Sequence, residues 1–371
     1  MIKLENVTKV YPDGTEAVKD VSFEVERGEL CVFLGPSGCG KTTTMKMINR
    51  LIPITSGKIY IDGVDNTKID ESELRRNIGY AIQEIGLFPH MTVGQNIETV
   101  PVLKGWSKDE RRRRAEELLE LVRMSPEEFI DKYPNELSGG QRQRVGVTRA
   151  LGADPPILLM DEPFGAIDPI NRVELQSEFL KIQQKIKKTI IFVTHDIYEA
   201  IKMGDKIVLM NQGQIVQYDT PANLLYRPKN EFVENFVGTD RALKGLQLLR
   251  VKEVMMSSPP TVKSDEKTEV AREQIEREGI DWLAVVSRDG EFLGWVEKAG
   301  LGRGETVREI MSPSTVTATV DAVLNEALSL MLSSRLNTLA IIDGDNKLEG
   351  VLSFDAIQTA LGDISQKGEA E

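Results

Sequence analysis

The sequence predicts an α/β layered domain with a largely parallel sheet, followed by a smaller α+β module built from one unit used twice. Three observations carry this. Strand-like apolar runs alternate with helix-like stretches through the first ~240 residues, at 58–61, 78–82, 157–160, 189–193 and 206–210. The octet at 35–42, GPSGCGKT, sits between an apolar strand-like run (ELCVFL, 29–34) and a helix-like stretch (TTMKMINRL, 43–51). After Asp240 the sequence repeats itself at a shift of 56 residues without a gap: VKEVM at 251–255 against VREIM at 307–311, Ala271 against Ala327, LAVV at 283–286 against LAII at 339–342, Asp289 against Asp345, Gly294 against Gly350.

Composition bounds the rest. A chain of 371 residues is long enough for two or three domains. Its net charge of −12 is concentrated at the C-terminal end, because residues 251–371 hold 22 acidic and 12 basic side chains. No basic field or Lys/Arg-rich tail is present, which argues against nucleic acid as the main partner. The two cysteines, Cys31 and Cys39, fall in the strand-like run and in the octet. A disulfide there would distort the loop, so both are expected as free thiols in a reducing compartment. The N-terminal residues alternate like a strand rather than a signal peptide, and no apolar run approaches the ~20 residues that span a bilayer. Action at a membrane is therefore expected through a partner.

From the N-terminus, KLENV, VSFEV and ELCVFL suggest an antiparallel β element. The octet has the spacing of a phosphate-binding loop. Its glycines allow a tight backbone whose N–H groups face phosphate oxygens, and the following helix start favours anions. Lys41 can reach β- and γ-phosphates, and the Thr42 hydroxyl can hold Mg2+. Between 83 and 137 the chain reads as mostly helical: Ser107 and Glu110 have capping-box spacing, then Ala115, Leu118, Leu119 and Val122 form one apolar face. The four arginines at 111–114 read as a solvated polar face or, alternatively, a partner contact. LSGGQ at 137–141 opens another helix and offers a second anion-binding start, which suggests closure over the nucleotide of a second subunit. The run at 157–160 ends in Asp161, placed for Mg2+, and Glu162, a candidate general base for an attacking water. His195, after IIFVT, stands at another strand tip and is read as a γ-phosphate contact. His90 is left as structural or interfacial. Each repeat copy reads strand, helix, two strands, helix. A unit so small buries little surface alone, so two copies are expected to pack together. QKGEAE at 366–371 reads as a short frayed tail.

GPSGCGKT, LSGGQ, LLMDEP and THD, in this order, resemble the ATP-binding subunit of an ATP-binding-cassette (ABC) transporter over about residues 1–240. The resemblance implies a P-loop NTPase cassette with a RecA-like core, an antiparallel β subdomain and a helical subdomain near 84–150. It implies two subunits head to tail with two ATP molecules between them. Carried over, Tyr11 would stack on adenine with Val18 also at the nucleotide. Gly35, Pro36, Ser37, Gly38, Cys39, Gly40, Lys41, Thr42 and Thr43 would hold phosphates and Mg2+. Gln83 would touch Mg2+ and link the site to the membrane partner, and with Thr42 and Asp161 it completes the expected metal set. Ser138, Gly139, Gly140 and Gln141 would reach the opposite ATP, and Asp168 would bridge the dimer. Glu162 and His195 would be catalytic. The family more often has Leu where Ile167 stands.

The cassette plus paired repeats, with TTTMKMINRLI, RRNIGYAIQEIGLFPHMTV, ELSGGQRQRVGV and FGAIDPINR, resembles the subunit of osmoprotectant importers carrying tandem cystathionine-β-synthase-type (CBS) domains. That resemblance implies import of glycine betaine, carnitine or choline, with integral-membrane permease subunits and an extracytoplasmic substrate-binding protein as partners, at the cytoplasmic face of the membrane. It sets the expected domains at 1–240, a linker at 241–250, CBS copies at 251–306 and 307–364, and a tail at 365–371. In CBS domains a Ser/Thr-x-Asp after the strand often holds adenosine. Ser353 and Asp355 fit it, whereas the first copy has Glu297 and Ala299 in register. The module is then a sensor of ionic strength or of an adenine (di)nucleotide, or a structural dimerisation unit. Lys263, Lys267, Arg272 and Arg277 could form a local patch for anionic lipid. Alternatives to osmoprotectant import are another cargo such as an amino acid, a cytosolic cassette ATPase, or a regulatory nucleotide-binding protein.

Overall fold

The structure is a computed structural model that describes residues 1–82, 86–165 and 167–369. The chain forms two compact units, one of Met1–Leu224 with Pro228–Phe236 and one of Leu225–Arg227 with the chain from Val237 onward.

In the first unit, β1 (Ile2–Val10) and β2 (Glu16–Val25) pair antiparallel, with Ile2, Leu4, Val7, Val18, Val21, Phe23 and Val25 turned inward. β3 (Leu30–Leu34), expected to continue this antiparallel element, instead leaves it. All five of its residues are buried, so it needs cover on both faces and lies inside a parallel sheet. The converse holds for β4 (Ser56–Ile61). Only its alternate residues Ile59 and Ile61 are buried, and it pairs antiparallel with β1 rather than joining the parallel strands. With β5 (Val64–Asp65) the first sheet runs β2-β1-β4-β5. β6 (Ile78–Ala81), β7 (Ile157–Asp161), β8 (Thr189–Val193), β9 (Lys206–Asn211) and β10 (Gln214–Asp219) build the second around β3, in the order β10-β9-β3-β8-β7-β6. All its pairs are parallel except β9–β10. One core joins both sheets, from Ile2 and Val18 to Phe33, Met45, Ile191 and Met210.

Between β6 and β7 the described residues are mostly helical, with helices Val93–Leu103, Lys108–Leu121, Pro126–Phe129 and Gly139–Leu151. Ser107 and Glu110 form the capping box, and Ala115, Leu118, Leu119 and Val122 are buried. Three of the four arginines at 111–114 are engaged within the chain: Arg111 with Glu98 (3.2 Å), Arg112 with Asp131 (3.1 Å) and Glu116 (3.0 Å), Arg114 with Glu117 (3.4 Å). Cys31 and Cys39 are both free and buried. Among the described residues no helix is long and apolar enough to cross a membrane.

The second unit repeats itself in structure at the same 56-residue shift. Helix Thr268–Glu278 answers to helix Leu324–Ser334, β12 (Trp282–Val286) to β16 (Thr338–Ile342), and β13 (Phe292–Glu297) to β17 (Leu348–Ser353). β11 (Thr261–Lys263) and β14 (Ser312–Pro313) flank the first pair of strands, and β15 (Thr317–Ala318) runs beside β16. The copies differ at their ends. The second closes with helix Phe354–Glu369, which continues into the stretch expected as a frayed tail. The first has only a 3-10 turn at Lys298–Gly300 where a helix was expected; Gly300, Gly302 and Gly304 follow in quick succession, and Gly302 takes φ 106°. Each copy has its own core. A third cluster, Ala284, Phe292 and Trp295 with Ala340 and Val351, joins them. The segment 241–250, expected as a linker, carries helix Arg241–Gly245, and Leu246 is wholly buried in the core of the second copy.

Candidate functional site

The octet leaves the C-terminal end of β3 and turns into helix Lys41–Ile48. Two of its glycines cannot be replaced without moving backbone. Gly35 adopts φ 144°, and a Cβ there would lie 2.2 Å from the Met210 carbonyl oxygen; Gly40 adopts φ 106°, and a Cβ would lie 2.6 Å from that of Ala17. The loop is therefore held against β9 and β2 by close backbone approach. Lys41 is 6% exposed. Its ammonium donates to the Gly35 (2.6 Å) and Pro36 (2.9 Å) carbonyl oxygens and lies 3.7 Å from Cys39 Sγ. Thus the cation is desolvated and fixed over the loop, where an anion meets it without paying for its ordering. Pro36, Ser37 and Gly38 are exposed at the loop's tip, and Thr43 is half-buried.

The ends of β7 and β8 meet this loop. Thr42 Oγ1 donates to Asp161 Oδ1 at 3.0 Å. Asp161 is 4% exposed. Burial raises its carboxyl above the ordinary value and the Glu162 charge adds to that, while the Thr42 hydroxyl, Lys46 and Lys41 oppose it. Glu162 takes φ 45°, a strained conformation for a side-chain-bearing residue. Its N–H donates to the Val193 carbonyl (3.0 Å), its carbonyl accepts from Gln143 Nε2 (3.3 Å), and its Oε1 stands 3.0 Å from His195 Nδ1. These bonds bend the chain sharply after β7 and point the carboxylate at the imidazole. A cation-holding pair (Thr42, Asp161) and a carboxylate–imidazole pair (Glu162, His195) thereby flank one anion-binding loop. That arrangement suits phosphoryl chemistry by positioning and charge neutralisation.

The remaining residues predicted for the nucleotide site spread over the same unit. Tyr11 is half-buried, with Lys9 Nζ 5.1 Å from its ring centroid. Val18 is fully buried and packs beneath Gly40. Ser138 caps helix Gly139–Leu151 through a box with Gln141, and the added-Cβ positions of Gly139 and Gly140 meet open space. Asp168 is exposed, its carbonyl accepting from Arg172 N at 2.9 Å. Gln83 lies outside the described residues. His90 is exposed beside Phe88.

Sequence reasoning passed over Gln143 and a buried carboxylate, Glu199, behind His195. Glu199 is 8% exposed, and burial raises its carboxyl. The available signal was a Glu within the otherwise apolar buried face of Ala200, Ile201 and Met203 on helix Ile197–Met203. In the second unit a cleft of about 900 Å³ is lined by positions related through the 56-residue shift, among them Trp282 with Thr338, Glu297 with Ser353 and Ala299 with Asp355.

The chain matches the ABC transporter family over residues 18–165 and the CBS domain family over 251–299 and 307–363. It is 46% identical to the glycine betaine/carnitine/choline transport ATP-binding protein OpuCA of Bacillus subtilis (strain 168), covering 95% of this chain and 94% of that one. It is 44% identical to the carnitine transport ATP-binding protein OpuCA of Listeria monocytogenes serotype 1/2a (strain 10403S), covering 100% and 96%. Identity is 46% to the osmoprotectant import ATP-binding protein OsmV of Salmonella typhimurium (strain LT2), covering 96% and 95%. Among solved structures, the ATP-binding cassette MJ0796, dimeric and bound to ADP and Pi in a post-hydrolysis state, superposes with a TM-score of 0.56 at 37% identity, covering 60% of this chain and 99% of that one. The chain belongs to the ATP-binding subunits of ABC transporters, as a cassette ATPase continued by two CBS domains.

Proposed function

We propose that this chain hydrolyses ATP to drive import of quaternary ammonium osmoprotectants, the class of cargo in its relatives' names. The observation that carries the chemical part is the meeting of Lys41, the Thr42–Asp161 pair and the Glu162–His195 pair at the ends of β3, β7 and β8. The loop amides and Lys41 hold the β- and γ-phosphates. The Thr42 hydroxyl and the Asp161 carboxylate are hard oxygen donors, which fit Mg2+, and a bound Mg2+ would neutralise phosphate charge. Glu162 takes the proton of the attacking water, and His195 holds the carboxylate's orientation while reaching the γ-phosphate. Glu162→Gln should retain ATP binding and lower turnover by ~10²–10⁴-fold; wild-type turnover of the purified variant would remove Glu162 from this role.

The working assembly is a homodimer on membrane permease subunits, served by a substrate-binding protein outside the membrane. Ser138 to Gln141 would complete the partner's nucleotide site, and Asp168 would meet its counterpart. A groove of about 280 Å³ beside β6, lined in part by Tyr80, Ile82, Phe88 and Arg149, is the recess we assign to the permease contact. Uptake of betaine, carnitine and choline by cells lacking and regaining this gene separates the osmolyte reading from an amino-acid cargo; uptake of none of the three would overturn it. The second unit would regulate turnover by ionic strength, or by an adenine (di)nucleotide held in the cleft with Ser353 and Asp355.

A further inference from the structure

We infer that Glu199 is a positioning residue that couples the loop carrying His195 to the loop carrying Asp168. The inference rests on the hydrolytic reading of Glu162 and His195 given above. Glu199 Oε2 accepts from Thr194 Oγ1 at 2.6 Å, and Oε1 accepts from Gln176 Nε2 at 2.9 Å. Thr194 is 2% exposed, and its N–H donates to the Phe33 carbonyl oxygen of β3. Its hydroxyl, having given its proton to Glu199, accepts from Asp196 N at 3.0 Å. His195 is therefore bracketed by two residues tied through one hydroxyl, and Glu199 sets the direction of that hydroxyl.

The other oxygen reaches the opposite loop. Gln176 lies on helix Pro169–Ile186, which begins directly after Asp168. One turn earlier on the same helix, Arg172 donates through Nη2 to the Ile167 carbonyl oxygen at 2.9 Å and through its backbone N–H to that of Asp168. The Arg172 charge also favours the ionised form of Glu199. One buried carboxylate thus joins the strand-tip segment carrying His195 to the helix that starts after Asp168, the residue proposed above to meet the dimer partner.

A hydrophobic side chain would fill this space more cheaply, since a buried charge is costly unless fully hydrogen-bonded. What the carboxylate adds is direction at both ends. A small shift of Thr194 moves His195, and a misplacement of about 1 Å can cost ~10²-fold in rate.

The test compares Glu199→Gln, Glu162→Gln and the reciprocal exchange Q176E/E199Q in the full-length chain, reading kcat, KM for ATP, the Hill coefficient and Tm. Glu199→Gln keeps shape but turns one of the two accepting oxygens into a donor, so the side chain can no longer accept from both Thr194 and Gln176. It should lower kcat by about 10- to 100-fold, with KM within about twofold, and it should reduce the Hill coefficient toward one. The reciprocal exchange restores a carboxylate–amide pair and should recover most of kcat and cooperativity. Wild-type kcat and Hill coefficient in Glu199→Gln overturn the coupling. So does a reciprocal exchange that recovers Tm without kcat, because the restored carboxylate–amide pair then does not carry the effect on rate. Normal turnover in Glu162→Gln would instead overturn the hydrolytic reading beneath it.

Discussion

Asp161 shows how a buried carboxylate strains the protein that holds it. Its carboxyl is raised by burial, so the unfolded chain ionises first as pH rises from about 3.8, and stability falls until the folded group has ionised as well. At neutral pH that destabilisation is present in full. Asp161→Asn removes the charge but keeps an oxygen to accept from Thr42. It should raise the Tm of nucleotide-free protein at pH 7, by ~2–4 °C for each kcal/mol recovered, with a smaller gain toward pH 4. Its Mg2+-dependent turnover should collapse. Calorimetry at the two pH values beside a phosphate-release assay checks both halves. That Lys41, Thr42, Glu162 and His195 would come together was legible in sequence, because a loop with phosphate-binding spacing and two strand tips of one parallel sheet lie side by side. Glu199 was not, because its partner Gln176 lies 23 residues away and only the folded sheet brings them together.

Among elements, legibility followed locality. The capping box at Ser107 and Glu110 needs four residues and was readable; Ser107→Ala should cost ~1 kcal/mol, seen as a lower urea midpoint with an unchanged slope. The places of β3 and β4 were read the wrong way round. Both are short apolar runs, and what separates them is whether one face or two is covered, a property of neighbours distant in sequence. The missing helix of the first repeat copy was written in its own glycines at 300, 302 and 304, but the register with the second copy masked it.

For the whole molecule, the two units have separate cores, and the boundary lies earlier than the repeat suggested. Cutting at 251 would strip Leu246 of the core that buries it, whereas ending the chain at Phe236 removes all of the second unit except Leu225–Arg227. Protein ending at Phe236 should keep ATPase activity and, assembled with its permease, lose activation by salt. Turnover measured across an ionic-strength series in proteoliposomes checks this; a preserved salt response would place the sensor in the first unit or the permease.

The ungapped correspondence of the two copies bears on how such a module can change over time. Their helices and paired strands keep the same bounds, while Ala299 stands where Asp355 does and a turn stands where a helix does. Form and chemistry are inherited separately here. If the second unit is regulatory as proposed, substitutions confined to 297–304 or 353–355 would alter what each copy binds and leave the frame in place, so lineages of this chain could exchange one ligand for another without rebuilding the domain.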